Sequence, residues 1–167
     1  MPMIEPEARL FPPSGGVPNH PAFPVLIYRA ALPADAAAIE EQVGANGWEC
    51  RWRNGVFDFH HFHSTAHEAL MVARGQATVQ IGGPDGVSVE IKAGDALVLP
   101  AGTGHKRLAA SADFLIIGAY PPGQDYDIER PDAAGLAAAQ ARIAAVPRPA
   151  SDPVTGPAGA LTRLWNG

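Results

Sequence analysis

Between residues 48 and 120, short apolar segments alternate with turn residues, and this alternation constrains the fold more than any other feature. The segments are rich in β-branched or aromatic residues and are bounded by glycine, proline, asparagine or aspartate. Eight such segments occur: 48–53, 56–63, 67–74, 77–82, 87–92, 96–99, 105–108 and 113–120. Short strands at this spacing are typical of an antiparallel sandwich or barrel. Within the series, the sequence GGPDG at 82–86 predicts a hairpin turn.

Proline separates this middle part from both flanks. Of the 17 prolines, eight precede residue 34 and seven follow residue 120. Because proline fixes φ and has no backbone N–H, residues 1–24 are predicted to be extended and to hold no central strand. We expect both flanks to pack as ordered arms on the middle part or on a partner subunit, since they carry apolar residues that a solvated tail would not need: Phe11, Phe23, Leu161, Leu164 and Trp165.

Two helices are predicted outside the strand-rich middle. Residues 34–45 favour a short helix, with Pro33 suited to its first turn and Gly47 to its end. Residues 132–145 favour a second helix, for which Asp132 is the expected N-cap.

These patterns predict one folded body with two arms. Residues 25–30 are predicted to form a further strand, and residues 147–167 are predicted to be extended. The predicted organisation is therefore an extended proline-rich arm over 1–24, a β-barrel over 25–120, and a C-terminal helix and extended arm over 121–167.

Charge and composition exclude several classes of function. Twelve basic and 17 acidic residues give a net charge of −5, and the basic residues are scattered, which argues against nucleic acid as a partner. No apolar run approaches the length of a membrane span, and the acidic start does not resemble a secretory signal. The lone cysteine, Cys50, cannot form an internal disulfide and is expected to be buried and inert. The sequence therefore predicts a cytoplasmic protein with no membrane partner.

Three histidines and a glutamate have the spacing of a metal site. His61 and His63 are two apart on a predicted strand, so both side chains point to one face. Glu68 begins the next predicted strand, and the turn can bring it back beside them. His105 could come from a distant strand. Three imidazoles and one carboxylate suit a divalent transition metal and leave two octahedral positions open.

These residues fall in two blocks that resemble the two motifs of the cupin superfamily. The first block has the spacing of the family at Gly55, His61, His63, Glu68 and Gly75. The second block has it at Gly94, Pro100, Gly102 and His105. The family pattern ends in an asparagine, which is not a metal ligand there, and this chain has Ala109 instead.

The resemblance implies an all-β double-stranded β-helix, or jelly roll, with two short flanking helices. It implies one divalent transition metal (iron, manganese, zinc, nickel or copper) on His61, His63, Glu68 and His105. Other segments, such as 18–30 and 120–127, are similar to a bacterial branch of single-domain cupins called YjlB-like. Because cupins commonly pair through sheet edges, the resemblance also implies a homodimer.

The resemblance implies a metal-binding protein and leaves its activity open. One interpretation is a metal-dependent enzyme of the oxygenase or isomerase/lyase type that acts on a small anionic or carbonyl-containing metabolite. The other interpretations are a non-catalytic module that binds a metal or small ligand, and a structural protein with a vestigial site. His67 and Tyr120 are the candidates for a general acid or base beyond the ligand set.

For several other residues the sequence allows either a functional or a structural role. His67 could replace Glu68 as a ligand, but it should lie on the opposite face of a regular strand. His60 is predicted to be partly exposed or packed, and His20, in the proline-rich arm, to be structural or exposed; of the five histidines at 60–105, the three ligands leave His60 and His67 as bystanders. Tyr120 and Tyr126 could donate hydrogen bonds into a pocket or simply pack. Any one of five basic residues could point inward to hold a carboxylate, although a solvated outer face is preferred for each: Arg51, Arg53, Arg74, Lys106 and Arg107.

Overall fold

Two antiparallel sheets face each other in the computed structural model, which describes residues 4–166. Within that range the strands are β1 (Glu7–Arg9), β2 (Val25–Tyr28), β3 (Glu49–Asn54), β4 (Glu68–Arg74), β5 (Gln76–Ile81), β6 (Val87–Lys92), β7 (Ala96–Leu99), β8 (His105–Ala110) and β9 (Leu115–Tyr120). The helices are α1 (Ala36–Ala45), α2 (Leu136–Ala144) and α3 (Ala160–Leu164).

The larger sheet has six strands in the order β1-β2-β7-β4-β9-β3, and the smaller has three in the order β6-β5-β8. Every pairing between neighbouring strands is antiparallel. The predicted hairpin joins β5 to β6, with Ile81 opposite Val87. The prediction of an all-β fold of the jelly-roll type is therefore confirmed.

Strand β4 is buried on both faces because the larger sheet lies between two apolar layers. Leu70 and Val72 point toward the smaller sheet, while Ala69 and Met71 point to the outer side. The inner layer is closed by β5 and β6. The outer layer is closed by α1 and by the C-terminal arm, whose Trp165 is fully buried. One strand thus contributes to two separate cores.

The C-terminal arm is fixed to the outer face by a buried carboxylate. Asp152 is fully buried, and its side chain accepts hydrogen bonds from the backbone N–H groups of Val154, Thr155 and Leu161 and from the Tyr28 hydroxyl. The Trp165 indole N–H also donates to the Pro24 carbonyl at 2.8 Å. These contacts tie the end of the chain to strand β2 and to the N-terminal arm.

Helix α1 ends at the predicted residue but begins two residues later than predicted, so Pro33 lies before the helix and not in its first turn. It begins at Ala36, and the Asp35 side chain caps it by accepting from the Ala38 N–H at 2.8 Å. Gly47, just beyond its end, has φ +90°, which glycine adopts easily. The longest of the helices has ten residues, and none within residues 4–166 could span a bilayer.

Helix α2 begins later than predicted, so the N-cap prediction for Asp132 is wrong. The helix starts at Leu136 and its N-cap is Gly135. The Asp132 backbone N–H instead donates to the Gly16 carbonyl at 3.1 Å, which holds this stretch against the N-terminal arm. The Asp132 carboxylate accepts from the Ala134 N–H in a turn that precedes the helix.

Two other segments differ from their predictions. The extended stretch 147–167 contains helix α3, whose five residues are too few to show a helical period in the sequence. The segment 56–63 is not a regular strand. His61 pairs with His105 of β8, whereas the next residue, Phe62, pairs with Glu129 on another part of the chain. Because the backbone changes partners between adjacent residues, no continuous ladder forms.

Candidate metal centre

The four predicted ligand residues meet at one end of the space between the sheets. His61 and His63 lie on the irregular segment before β4, while Glu68 and His105 are the first residues of β4 and β8. Each of the four is at most 6% exposed. The three histidines each offer a nitrogen within 4.8 Å of the others, an arrangement that could hold a metal ion.

Glu68 borders two of these histidines. Its Oε2 lies 3.0 Å from His63 Nε2, and its Oε1 lies 3.1 Å from His105 Nε2. The Tyr120 hydroxyl also donates to Oε2, at 2.5 Å. Oε1 is fully buried and, with the His105 proton on Nδ1, accepts no hydrogen bond from residues 4–166; His105 Nε2 would donate to it only if that nitrogen carried the proton. A buried carboxylate oxygen without a donor is costly unless a cation lies beside it.

Each of the three imidazoles is oriented by a backbone carbonyl. Nδ1 of His61 faces the Phe59 carbonyl at 3.1 Å, and Nδ1 of His105 faces the Thr103 carbonyl at 3.0 Å. Nδ1 of His63 faces the Asp127 carbonyl. A neutral imidazole that donates through Nδ1 keeps its lone pair on Nε2, the nitrogen that a metal would use.

The ionisation of Glu68 and His61 suits a cation, whereas His63, in the absence of a metal, is drawn toward its protonated form by Glu68. Burial, followed by repulsion from His105, lowers the pKa of His61 to about 3, which keeps its ring neutral. Burial alone would raise the pKa of Glu68, but His63 and His105 together hold it well below its usual range. For His63, the neighbouring Glu68 outweighs burial, and the pKa is raised. The donor set, with imidazole nitrogens and an ionised carboxylate, fits a divalent transition metal.

His67 is not available as an alternative to Glu68. Its Nδ1 accepts from the Ala101 N–H at 2.9 Å, and its Nε2 lies 3.1 Å from the Pro147 carbonyl. Both nitrogens are therefore used on the outer side of β4, where the ring packs against Trp165 at 5.0 Å. His20 lies next to it, with the ring centroids 6.1 Å apart. His60 stands outside the cluster, with its buried Nδ1 unpaired among the described residues.

A chain of hydrogen bonds behind Glu68 was not predicted from the sequence. The Trp52 indole N–H donates to the Tyr120 hydroxyl at 2.9 Å, and that hydroxyl donates to Glu68. Trp52 lies so close to the neighbouring strand that a Cβ on Gly118 would fall 2.1 Å from its ring. A glycine inside a strand is a signal for such close approach, and Gly118 was the available clue.

A second support comes from the segment after β9. Oδ1 of Asp127 accepts from the Ser64 N–H at 2.6 Å, and its other oxygen accepts from the Ser64 hydroxyl. Arg142 of α2 in turn donates to that hydroxyl oxygen at 2.8 Å. These contacts fix the chain next to His63. They join residues about 60 to 80 positions apart, so local sequence patterns could not show them.

The cluster lines a cavity of about 450 Å³. Of the five basic residues considered above, Arg107 is the one that lines it. Arg51 pairs with Glu49 and Asp125, and Arg53 pairs with Glu40. The other lining residues beyond the predicted ligands are Trp52, Asn54, Gly55, Val56, Phe57, Asp58, Leu70, Tyr120, Tyr126 and Ile128.

Cys50 lies outside this cavity and is half-buried. Burial and the nearby Glu40 raise the pKa of its thiol to about 11, so the thiolate that a nucleophile requires is disfavoured.

Comparison with known proteins shows one relative that spans nearly the whole chain. The profile of a family described as Cupin domain matches residues 52–117. Over 163 residues the chain is 42% identical to Uncharacterized protein YjlB of Bacillus subtilis (strain 168), which covers 96% of this chain and 97% of that protein.

Two solved structures are also similar. One is an uncharacterized conserved protein with a double-stranded β-helix domain from Klebsiella pneumoniae, at 14% identity and a TM-score of 0.38, covering 77% of this chain and 81% of that chain. The other is a cupin 2 domain-containing protein from Halorhodospira halophila, at 19% identity and a TM-score of 0.37, covering 74% of this chain and 68% of that chain.

Proposed function

Because the chain belongs to the cupin family, in the branch that includes YjlB of Bacillus subtilis, we propose that it binds one divalent transition metal through His61, His63, Glu68 and His105. The metal is one of iron, manganese, zinc, nickel and copper. The observation that carries the proposal is the buried Oε1 of Glu68, which accepts no hydrogen bond within residues 4–166 and lies beside His105.

We propose that the site acts on a small anionic or carbonyl-containing metabolite, as an enzyme of the oxygenase or isomerase/lyase type. When bound, the metal supplies a Lewis acid for the oxygen donors of the metabolite. Three neutral imidazoles and one carboxylate leave a net charge near +1 with a divalent ion, so the site favours an anion. The cavity of about 450 Å³ is in the size range of pockets for small metabolites.

The residues of the chain then act mainly by positioning. The Tyr120 hydroxyl is already bonded to Glu68, and His67 lies on the outer side of β4. Neither group is free to exchange a proton with a molecule in the cavity. Chemistry that relies on the metal is therefore favoured over reactions that need a separate acid and base.

The same observation supports a second candidate function. A site with no free acid or base could serve a non-catalytic module that binds a metal or small ligand. A structural protein with a vestigial site would in contrast hold no metal, so metal content separates it from both other candidates.

We also propose that the protein is a cytoplasmic homodimer. A single cysteine, Cys50, fits a reducing compartment. Strands β1 and β3 are the edges of the larger sheet, and sheet edges can pair between subunits. Light scattering after size exclusion tests the dimer, and a monomeric mass would contradict it.

Elemental analysis of protein purified without added metal tests the metal site. We expect close to one metal per chain, and less than about 0.2 per chain would overturn the assignment. The double variant His61→Ala/His105→Ala should lose the metal while its circular dichroism stays that of the folded chain. His60→Ala is the matched control and should keep its metal, because His60 lies outside the cluster.

Turnover separates an enzyme from a binding module. Protein loaded with Fe²⁺ is offered a panel of β-diketones, thiols and aromatic diols while dioxygen uptake is followed. Uptake that is lost in the double variant supports an oxygenase. Binding of a panel member without any change in it supports the non-catalytic module.

A further inference from the structure

Arg107 points into the cavity from the same strand as a proposed metal ligand. On β8, His105 lies opposite Ile81 and Arg107 lies opposite Val79. Ile81 and Val79 belong to the core between the two sheets. Because directly opposite residues in an antiparallel pair share a face, His105 and Arg107 both point inward, about 7 Å apart along the strand.

The guanidinium of Arg107 has no close acidic partner. Within residues 4–166 the one carboxylate near it is Asp58, at 3.9 Å, which is beyond hydrogen-bond distance. Some arginines outside the cavity have closer acidic partners, as in Arg53 with Glu40 at 2.6 Å. Arg107 therefore keeps planar N–H donors that could meet a carboxylate in the cavity.

Two exposed apolar side chains lie on the lining of the cavity, which near Arg107 also includes the exposed carboxylate of Asp58. Phe57 is 47% exposed and Ile128 is 50% exposed, and both line the cavity. Phe57 is held by stacking on Phe59, with ring centroids 4.9 Å apart, and by an edge contact with His61 at 5.0 Å. Exposed apolar side chains around a cavity that contains a few polar groups are typical of a ligand site.

We propose that the metabolite bound here is a small carboxylate with an apolar group. Its carboxylate pairs with Arg107, its hydrocarbon part covers Phe57 and Ile128, and a second oxygen donor is left to face the histidine cluster. This inference rests on the proposed function, since the same cavity holds both, and it adds the residue that selects the substrate.

Calorimetric titration with phenylpyruvate, its methyl ester and pyruvate tests the inference on protein whose metal content has been measured. The ester removes the negative charge, and pyruvate removes the aromatic group. We expect phenylpyruvate to bind at least about tenfold more tightly than either, because a hydrogen-bonded charge pair and a buried ring each contribute on that scale.

The variants Arg107→Met and Lys106→Met form a matched pair. Lys106 is the neighbouring residue on the opposite face of the strand. Arg107→Met should weaken phenylpyruvate binding about tenfold or more, leave the ester unchanged and keep the metal, whereas Lys106→Met should change none of these. Phe57→Ser should weaken phenylpyruvate but not pyruvate.

Two results would overturn the inference: wild-type protein that binds acid and ester equally or binds neither, at whatever metal content, or equal losses of phenylpyruvate binding in the two methionine variants. Wild-type protein that is found by elemental analysis to hold no metal would instead contradict the proposed function, which is metal binding. The comparison of acid and ester is made whatever the metal content, so the two failures are distinguishable.

Discussion

Strand β4 separates two buried polar regions that are built from similar residues but are completed differently. The mouth region, on the inner side, comprises His61, His63, Glu68 and His105. The anchor region, on the outer side, comprises His20, His67 and Asp152. All seven residues are less than 9% exposed, so burial alone does not distinguish a candidate ligand from a structural histidine.

The difference lies in which acceptors are left over. In the anchor region, both nitrogens of His67 are used, and the Asp152 carboxylate accepts four hydrogen bonds. In the mouth region, Oε1 of Glu68 accepts none within the described chain. A buried acceptor without a donor indicates a site where a ligand binds. A group whose hydrogen bonds are all made within the protein indicates a structural role.

The largest expected effect belongs to the anchor region. Asp152→Ala removes the acceptor of the Tyr28 hydroxyl and of three backbone N–H groups, all of them enclosed by the C-terminal arm. We expect the free energy of unfolding, measured in urea, to fall by about 4 kcal/mol, because broken buried networks cost this much. Metal content per folded chain should not change.

Asp125→Ala is the control for this variant, since the Asp125 side chain is 90% exposed. It should shift the unfolding free energy by less than about 0.5 kcal/mol. If Asp152→Ala is as mild as the control, the arm is not held by that carboxylate.

The same substitution in the two regions should give opposite results. His67→Ala leaves the Ala101 N–H and the Pro147 carbonyl unpaired and opens a cavity beside Trp165. We expect the free energy of unfolding of the metal-free protein to fall by about 3 kcal/mol, while the variant still binds metal. His61→Ala should lose metal binding, with a smaller loss of stability in the metal-free state. A loss of metal binding in His67→Ala would erase the distinction between the regions.

Local patterns in the sequence predict most of the strands but not the irregular segment that carries two of the candidate ligands. Strands β5 and β6 show apolar alternation, whereas β4, β7 and β9 are short apolar runs, and turn residues separate them. The segment 56–63 has the composition of a strand, yet its backbone pairs first with His105 and then with Glu129. Those partners are set by tertiary packing, which residue periodicity does not encode.

The same limit applies to the candidate site. The four proposed ligands were identified from their spacing and their resemblance to a family motif. The Trp52–Tyr120–Glu68 chain joins three strands, and Asp127 reaches Ser64 from 63 residues away. Tyr120 could be named as a candidate from the sequence, but its hydrogen-bond partner could not. Supporting contacts of this kind depend on the register between strands.

Tyr120→Phe tests whether the support behind Glu68 matters to the mouth region. It removes the donor to Oε2 and the acceptor of the Trp52 indole, while the ring remains. We expect metal affinity, measured by competition with a chelator, to fall about tenfold, the lower end for such supporting contacts. Tyr126→Phe keeps the stacking on Tyr120 at 4.5 Å and should leave the affinity unchanged. Equal effects in the two variants would contradict the role of the Tyr120 hydroxyl.

The smallest expected effect is a pH dependence that comes from the anchor region. Burial lowers the pKa of His20 to about 4, and its Nδ1 accepts from the Ala22 and Phe23 N–H groups, so the folded chain keeps this ring neutral. The unfolded chain protonates it near pH 6.5 and therefore binds more protons between about pH 6.5 and pH 4. The contribution of His20 to the free energy of unfolding must therefore fall as the pH falls through that window, by about 1 kcal/mol between pH 7 and pH 5.5.

His20→Gln isolates this contribution, since His67 at 6.1 Å titrates in the same direction and remains in both proteins. In urea unfolding of metal-free protein at several pH values, the free energy of unfolding should fall less steeply with decreasing pH in the variant than in the wild type. Parallel curves would mean that His20 is protonated in the folded chain. In that case its Nδ1 could not accept the two backbone hydrogen bonds, and the anchor region would lose the complete set of partners that distinguishes it from the mouth region.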